Sequence, residues 1–225
     1  MFIKKFIKCI LPYGIVRLYQ KHALSIPASA SSLVSFSMLK KESFISLYAG
    51  DLPSGSVALN YKKIGLSLTQ SNKNHIKHDI TNPYDLDDNS VDIYQSEDVF
   101  EHIDYAKLKS VIKEIYRILK PNGLSRLSLP DYRCDLLYNR SIKDNNGYIV
   151  FDPEGGGIFI KETKQVVDGG HVWFPIYETV KNLLNEIPFS KVDFLHYHDE
   201  DGKPHCNLID YSKGFVKRTP DHDKR

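Results

Sequence analysis

The sequence predicts an α/β protein with a mostly parallel central sheet flanked by helices. Two observations favour this fold class: strand-like segments alternate with helical patterns from Glu42 onward, and short turn-rich segments separate them. The composition is a third, because 41% hydrophobic and 26% charged residues are typical of a soluble globular protein. A chain of 225 residues can also bury a large core without a disulfide or a structural metal.

The strand predictions rest on runs of β-branched and aromatic residues that are bounded by turn residues. Loops rich in Gly, Pro, Asn and Ser separate these runs. The strands are expected over residues 44–49, 57–60, 75–80, 91–94 and 124–129, with a further strand over 192–197.

The clearest helix lies between the fourth and fifth strands. Asp104 is its expected N-cap, and the Lys-Pro-Asn-Gly segment at 120–123 ends it. A second helix is expected over 177–187. One apolar stripe with helical spacing defines the first helix, namely Leu108, Val111, Ile112, Ile115 and Leu119.

The charge is unevenly distributed along the chain. Residues 1–41 carry a net +7 with no Asp or Glu, whereas residues 42–225 carry −5. This predicts a basic leader with its linker over 1–41 and one domain over 42–225. The first 24 residues form a basic amphipathic pattern that Pro12 interrupts. Three interpretations of this pattern stay open: contact with an anionic membrane surface or a partner, packing on the protein's own domain, and a secretory signal.

The linker is placed in the Ser/Ala-rich segment 25–37. Three widely spaced cysteines argue against a disulfide framework and favour a reducing compartment, so we expect a cytoplasmic protein. If the leader contacts lipid, that contact is expected at the inner face of the cytoplasmic membrane. The net charge of +2 argues against a dedicated nucleic-acid binder.

The segment 139–170 is rich in Asn, Asp and Gly and is predicted to be a structureless, lid-like insert. Aromatic residues in and around it suit either a sugar-binding surface or an ordinary core, and both interpretations stay open. They are Tyr138, Tyr148, Phe151, Phe159 and Trp173.

Residues 79–131 contain ordered motifs: His-Asp-Ile-Thr, then Asp-Asn-Ser-Val-Asp, Glu-His, Glu-x-x-Arg-x-Leu-Lys-Pro-x-Gly and Leu-Pro-Asp. Their order and spacing resemble class I S-adenosylmethionine-dependent methyltransferases of the type 11-like kind. The resemblance is greatest to a bacterial group whose genes accompany glycosyltransferases in surface-polysaccharide synthesis. It implies a Rossmann-like sheet of seven strands, with S-adenosylmethionine bound across the carboxyl ends of the strands.

The resemblance also implies cofactor-binding positions. The loop after the first strand holds Ala49, Gly50 and Asp51, with one central glycine where the family has two or three. Asn60 takes the ribose position, where the family has an acidic residue, and Lys62 is the alternative. Asp79 matches the adenine-binding acid, although its other interpretation is a turn cap. The remaining expected contacts are Ile80, Gln95 and Ser96.

Methyl transfer to a weakly acidic hydroxyl needs alignment of the reactants and is helped by a general base. The candidate catalytic residues are Asp131, His171 and His102. For His102 a packing role is at least as well supported, and Asp131 could instead be a turn carboxylate. His171 lies in a glycine-flexible aromatic segment suited to the wall of an acceptor site.

Two histidine clusters were considered as metal sites, and neither is predicted to be one. His75 and His78 are three apart on a strand and so point to opposite faces. His196 and His198 share a strand face, with His205 after a turn, but a solvated hairpin explains this spacing better.

We therefore expect a methyltransferase that O-methylates a saccharide during envelope polysaccharide synthesis. The acceptor would be a saccharide or a lipid-linked or nucleotide-linked sugar, and glycosyltransferases are the expected protein partners. Because the loop after the first strand has fewer glycines than the family, one alternative is a methyltransferase-like protein without tight cofactor binding. Because of the basic leader, another is a scaffold protein for glycosyltransferases. The short tail leaves open whether the last strand of the sheet is present.

Overall fold

A computed structural model describes residues 33–53 and 61–210. Within these residues the core of the protein is a sheet of five parallel strands with the order β3-β2-β1-β4-β5. The strands are β1 (Ser46–Ala49), β2 (Lys63–Ser67), β3 (His75–Lys77), β4 (Val91–Glu97) and β5 (Leu119–Ser128).

The strand order places a topological switch point between β1 and β4. The chain moves outward from β1 to β3 and then returns to the other side of β1. In open parallel sheets the crevice beyond the carboxyl ends of the strands at such a point is the usual ligand site. The predicted α/β class with a Rossmann-like parallel sheet is thus confirmed.

The long helix, α2 (Tyr105–Ile118), forms where the apolar stripe predicted it. Its N-cap is Asp104, whose side chain accepts a hydrogen bond from the Ala106 amide. The helix buries its apolar stripe in the same core cluster as Leu47, Leu66 and Tyr94 of the sheet. The predicted terminator at 120–123 lies within β5, where the pairing with β4 shifts register and Asn122 adopts a φ of 65°.

The other elements precede or follow this core. Helix α1 (Phe36–Leu39) lies before β1, and a 3₁₀ turn (Phe100–His102) links β4 to α2. After β5 come α3 (Asp135–Arg140), the hairpin β6 (Ile142–Lys143) with β7 (Ile149–Phe151), the hairpin β8 (Ile158–Ile160) with β9 (Gln165–Val167), α4 (Tyr177–Asn185), and the hairpin β10 (His196–His198) with β11 (Pro204–Cys206).

The second strand differs from the prediction. Residues 54–60 lie outside the described part, so the predicted strand 57–60 has no observed counterpart there. The observed β2 is Lys63–Ser67, which the sequence analysis did not assign. Its alternating pattern is interrupted by Gly65, which is why a search for β-branched runs passes over it.

The insert 139–170 is not structureless, because two hairpins fill most of it. The rings of Phe151 and Phe159 stack at 5.6 Å and join the hairpins. Trp173 is buried in the core, and its Nε1 donates to the Phe100 carbonyl, which favours its core interpretation. The predicted strand 192–197 is also wrong in extent, since only His196–His198 is strand and it pairs in a hairpin outside the sheet.

The first described residues already pack on the body. Val34 and Leu39 belong to the core cluster, and the Val34 amide donates to the Asn72 carbonyl. Residues 33–41 therefore belong structurally with the sheet, while the predicted leader segment 1–24 lies outside the described residues. Among the described helices, none is long and apolar enough to cross a membrane.

Candidate functional site

The crevice at the switch point is formed by the turn after β1 and the loop after β4. Ala49 is fully buried at the end of β1, and Gly50 follows it with a φ of +90°, a conformation that favours glycine. The Gly50 amide donates to the Leu66 carbonyl of β2, and a Cβ built on Gly50 would lie 3.5 Å from Val99. The backbone thus turns sharply beside the loop after β4, as the glycine-loop prediction requires.

A histidine of β3 anchors this turn. The Leu52 amide donates to His75 Nε2 at 3.1 Å, and the His75 ring covers Gly65 so closely that a Cβ there would lie 2.4 Å from the ring. His75 is buried, and its Nδ1 pairs with Asn72 Oδ1. His75 therefore positions the Gly50–Asp51 turn, and this role was not predicted.

Gln95 and Ser96 follow the predicted strand 91–94, but the observed β4 extends to Glu97, so both residues lie within the strand. Gln95 is buried on the sheet, accepts from Lys63 Nζ at 2.6 Å and donates to Glu97. Ser96 is beside Ala49, and its buried hydroxyl has no hydrogen-bond partner among the described residues. A buried polar atom at the open end of the switch point is a feature that a ligand would satisfy.

The side chain at the carboxyl end of β2 is Ser67, not Asn60. Asn60 lies outside the described residues, and its assignment assumed a strand that ended there. The buried Ser67 Oγ accepts from the Thr69 and Gln70 amides and so caps the turn after β2. No carboxylate therefore stands at this strand end.

Asp79 is exposed after β3 and caps a turn. Its Oδ1 accepts from the Thr81 amide at 2.9 Å and from the Thr81 hydroxyl at 2.8 Å, which is the second interpretation given for it above. Ile80 is buried and belongs to the core cluster. Asp79 follows the carboxyl end of β3, which is the edge of the sheet where the loops form the crevice.

Beyond the end of β4 the structure brings Glu101, His102 and His171 together. Each offers one ligating atom, and these atoms lie within 4.8 Å of one another. Glu101 is completely buried, and its Oε1 is 3.7 Å from His171 Nε2. Two of the three predicted catalytic residues, His102 and His171, thus lie side by side with their ring centroids 4.8 Å apart.

A hydrogen-bonded chain fixes His171. Arg140 pairs with the buried carboxylate of Asp152 at 2.7 Å, Tyr132 donates its hydroxyl to the same oxygen, and His171 Nδ1 contacts the Tyr132 oxygen. Burial first, and the nearby His102 second, lower the pKa of His171 to about 4, so the ring is neutral at pH 7. The insert therefore supplies Asp152, which orients a candidate catalytic histidine.

Asp131, the third predicted catalytic residue, accepts three hydrogen bonds. Its Oδ2 accepts from the His198 amide at 2.7 Å and from His198 Nδ1 at 2.9 Å, while its Oδ1 accepts from the Arg133 amide. A carboxylate that holds Nδ1 of a histidine leaves Nε2 as the basic atom. Asp131 stays a predicted catalytic residue, and the structure places His198 beside it.

Five residues near the candidate site were not predicted from the sequence as site residues: Glu101, Tyr132, Arg140, Asp152 and His198. Glu101 was adjacent to a candidate, and its Glu-His motif was the available signal. The other four residues contact partners that are distant in the sequence, up to the 67 residues between His198 and Asp131. No local pattern therefore indicates these contacts.

The remaining histidines of the described residues have separate partners. His78 Nε2 contacts the Asn82 carbonyl, His196 Nε2 the Asn207 carbonyl, and His205 the Asp199 carboxylate at 2.7 Å. In the hairpin β10–β11, His205 pairs opposite Tyr197 and so faces away from His196 and His198. The histidines of the first cluster, His75 and His78, therefore do not share a site, and neither do His196, His198 and His205.

Comparison with known proteins bears on residues 35–127, which match a family model described as a methyltransferase domain. No curated protein matches the chain significantly. The matched residues include β1 to β4, helix α2 and all of β5 except Ser128, so they cover nearly the whole parallel sheet and the switch point. The match and the strand order agree: residues 35–127 form a Rossmann-like core and are similar to a methyltransferase domain.

Proposed function

We propose that the protein is an S-adenosylmethionine-dependent methyltransferase that O-methylates a saccharide. The observation that carries the proposal is the switch-point crevice within the matched domain, where the Gly50 turn, the buried Ser96 hydroxyl and the cluster at Glu101 follow neighbouring strand ends. Polar groups that converge at such a point are typical of a ligand site.

The residues of the crevice fit the cofactor in part. The Gly50 turn offers close backbone approach, Ser96 offers an unsatisfied hydroxyl, and Asp79 offers a carboxylate beyond β3. Ser67 would contact a ribose more weakly than a carboxylate does. When bound, S-adenosylmethionine supplies a methyl group on a positively charged sulfur, which is a good leaving group.

The protein's own groups would orient the acceptor and remove its proton. His198 is held by Asp131, so it presents an imidazole nitrogen of fixed direction that can take this proton. A base that takes the hydroxyl proton contributes a rate factor of about 100 to 10,000. His102 and His171 lie side by side with Glu101 and form a separate cluster.

A saccharide acceptor is supported by the composition of the insert. Tyr138 and Tyr148 are exposed, and Lys143 Nζ lies over one face of the Tyr138 ring at 4.3 Å. Exposed rings of this kind can pack on sugar faces while neighbouring polar groups meet hydroxyls. Envelope polysaccharide synthesis, glycosyltransferase partners, a cytoplasmic location and contact of residues 1–24 with the inner membrane face belong to the same proposal. Their support is the motif resemblance and the basic leader.

Calorimetry with S-adenosylmethionine and S-adenosylhomocysteine tests the proposal. We expect the full chain to bind both, and Asp79→Ala to weaken binding because the carboxylate would accept from the adenine amino group. Glu162→Ala, which changes an exposed acid in the segment between β8 and β9, is the matched control and should bind as the wild type does. Absence of binding at millimolar ligand would overturn the enzyme proposal, and normal binding by Asp79→Ala would overturn the adenine assignment.

A second candidate is a methyltransferase-like protein without tight cofactor binding. Ser67 at the ribose position and the use of Asp79 Oδ1 by Thr81 favour it. The same calorimetry separates the two candidates, because only the first predicts a cofactor complex.

A further inference from the structure

The cluster of Glu101, His102 and His171 combines two imidazoles and one carboxylate beyond the end of β4. All three side chains lie on segments that the surrounding structure holds in place. His102 and Glu101 belong to the 3₁₀ turn, and the Val172 amide next to His171 donates to the Glu101 carbonyl. The question is which atoms these side chains direct at one another.

The orientation of His102 follows from its partner. Its Nδ1 lies 3.0 Å from the Gly170 carbonyl oxygen, which can only accept a hydrogen bond. Nδ1 therefore carries the proton, and the lone pair lies on Nε2. A backbone carbonyl that fixes a histidine in this way is typical of metal-ligating histidines.

The orientation of His171 follows from a longer chain of partners. The Asp152 carboxylate accepts from Arg140, so the Tyr132 hydroxyl must donate to Asp152. The Tyr132 oxygen then accepts from His171 Nδ1, which leaves the lone pair on Nε2. This Nε2 is the atom that lies 3.7 Å from Glu101.

The surrounding backbone keeps the His171 ring in this place. A Cβ on Gly155 would lie 2.8 Å from the His171 ring, and a Cβ on Gly170 would lie 2.2 Å from the Gly156 carbonyl. Two glycine segments thus pack closely against each other beside the ring. A site that is held within small tolerances by its supporting residues is what a metal centre requires.

Glu101 contributes the charge. Its side chain is fully buried, and buried carboxylates in proteins are paired or coordinate metal ions. With the two imidazoles beside it, the cluster offers one carboxylate and two nitrogen donors. Imidazole nitrogens favour first-row transition metals over Mg²⁺ or Ca²⁺.

We propose that Glu101, His102 and His171 bind one divalent transition-metal ion, and that Zn²⁺ is the ion best suited to them. Two histidines and one glutamate with an open fourth position are a donor set of catalytic zinc sites. The open position would take the hydroxyl oxygen of the methyl acceptor and lower its pKa. That role rests on the proposed function, whereas binding of the ion does not.

Spectroscopy with Co²⁺ tests the site directly. We expect the chelator-treated full chain to bind one Co²⁺ with visible d–d absorption, and Zn²⁺ to displace it. Glu101→Gln and His171→Gln keep the side-chain size but should each weaken Co²⁺ binding by about 100-fold, and Tyr132→Phe, which removes only the orienting hydroxyl, by about 10-fold. His205→Ala removes a histidine outside the cluster and should bind as the wild type does.

The metal site would be overturned if the wild type bound neither Co²⁺ nor Zn²⁺, or if His171→Gln and His205→Ala bound Co²⁺ equally well. Loss of the d–d absorption in His205→Ala but not in the cluster variants would also overturn it. Because the titration needs no cofactor, its result is independent of the calorimetry above. Zinc binding without cofactor binding would overturn the proposed function and leave the metal site intact.

Discussion

Tyr132 shows how one residue connects the insert to the site. It is buried, its hydroxyl donates to Asp152, and its oxygen meets His171. Burial first, and the hydrogen bond to Asp152 second, raise the pKa of Tyr132 far above its usual value, so the phenol stays protonated and remains a donor. A single hydroxyl therefore determines the tautomer of a candidate catalytic histidine.

We expect Tyr132→Phe to lower the free energy of unfolding by about 1–2 kcal/mol, because the buried Asp152 carboxylate loses one donor but keeps Arg140. Urea unfolding of the full chain measures this. Tyr148→Phe removes a hydroxyl from a side chain that is 72% exposed and should change the free energy by less than about 0.5 kcal/mol. Equal effects of the two substitutions would contradict the proposed hydrogen-bonded chain.

At the scale of elements, α2 does more than cover the sheet. Glu114 and Arg117 form a bidentate pair on this helix, and Arg117 also donates to the Tyr84 and Leu86 carbonyls. Glu114 accepts from the Tyr84 amide. The Glu-x-x-Arg motif thus fastens the loop between β3 and β4 to the helix, which is a structural role for a motif found first in the sequence.

This pair predicts a dependence of stability on pH. The hydrogen bond from Arg117 holds the pKa of Glu114 below its ordinary value of 4.5, against partial burial, which raises it. A carboxyl with a lowered folded-state pKa stabilises the protein above 4.5, and this contribution is lost as the pH falls through the folded-state value. The stability difference between wild type and Glu114→Gln should therefore be constant near neutral pH and shrink in acid.

Urea unfolding at a series of pH values measures this difference. Glu162→Gln is the control, because Glu162 is exposed and should show no comparable change. A difference for Glu114→Gln that stays constant down to the lowest pH at which both proteins fold would refute the assigned ion pair.

At the scale of the whole molecule, the basic and acidic residues are concentrated in different parts of the chain. The body from residue 42 onward is mildly acidic, whereas residues 1–24 include Lys4, Lys5, Lys8, Arg17 and Lys21. Basic residues near an anionic membrane contribute about 1 kcal/mol each, and salt screens this attraction. The leader is therefore the part of the chain that would recruit the protein to such a surface.

We expect the full chain to co-sediment with anionic vesicles and a variant lacking residues 1–24 to remain in the supernatant. Added salt should release the full chain, since the attraction is electrostatic. Neutral vesicles are the control. Equal sedimentation of both forms with anionic vesicles would remove the membrane proposal.

The sequence by itself determined the features that depend on local patterns. The spacing of Leu108, Val111, Ile112 and Ile115 predicted α2, Asp104 predicted its start, and alternation of strands and helices predicted the parallel sheet. These patterns are readable because residues within one turn or one strand act on each other directly. The missed strand β2 shows the limit, since Gly65 lowers its apparent strand preference, and pairing with β1 and β3 holds it in the sheet.

Only the tertiary structure decided the composition of the site. Asp131 meets His198 and Glu101 meets His171 across long stretches of chain, and Asp152 reaches Tyr132 because the insert folds into hairpins rather than a loose lid. Such contacts depend on where each loop returns to the body, and no periodicity along the chain encodes that. The sequence thus determined the sheet and the edge at which chemistry can occur, and the packing of distant segments decided which side chains stand there.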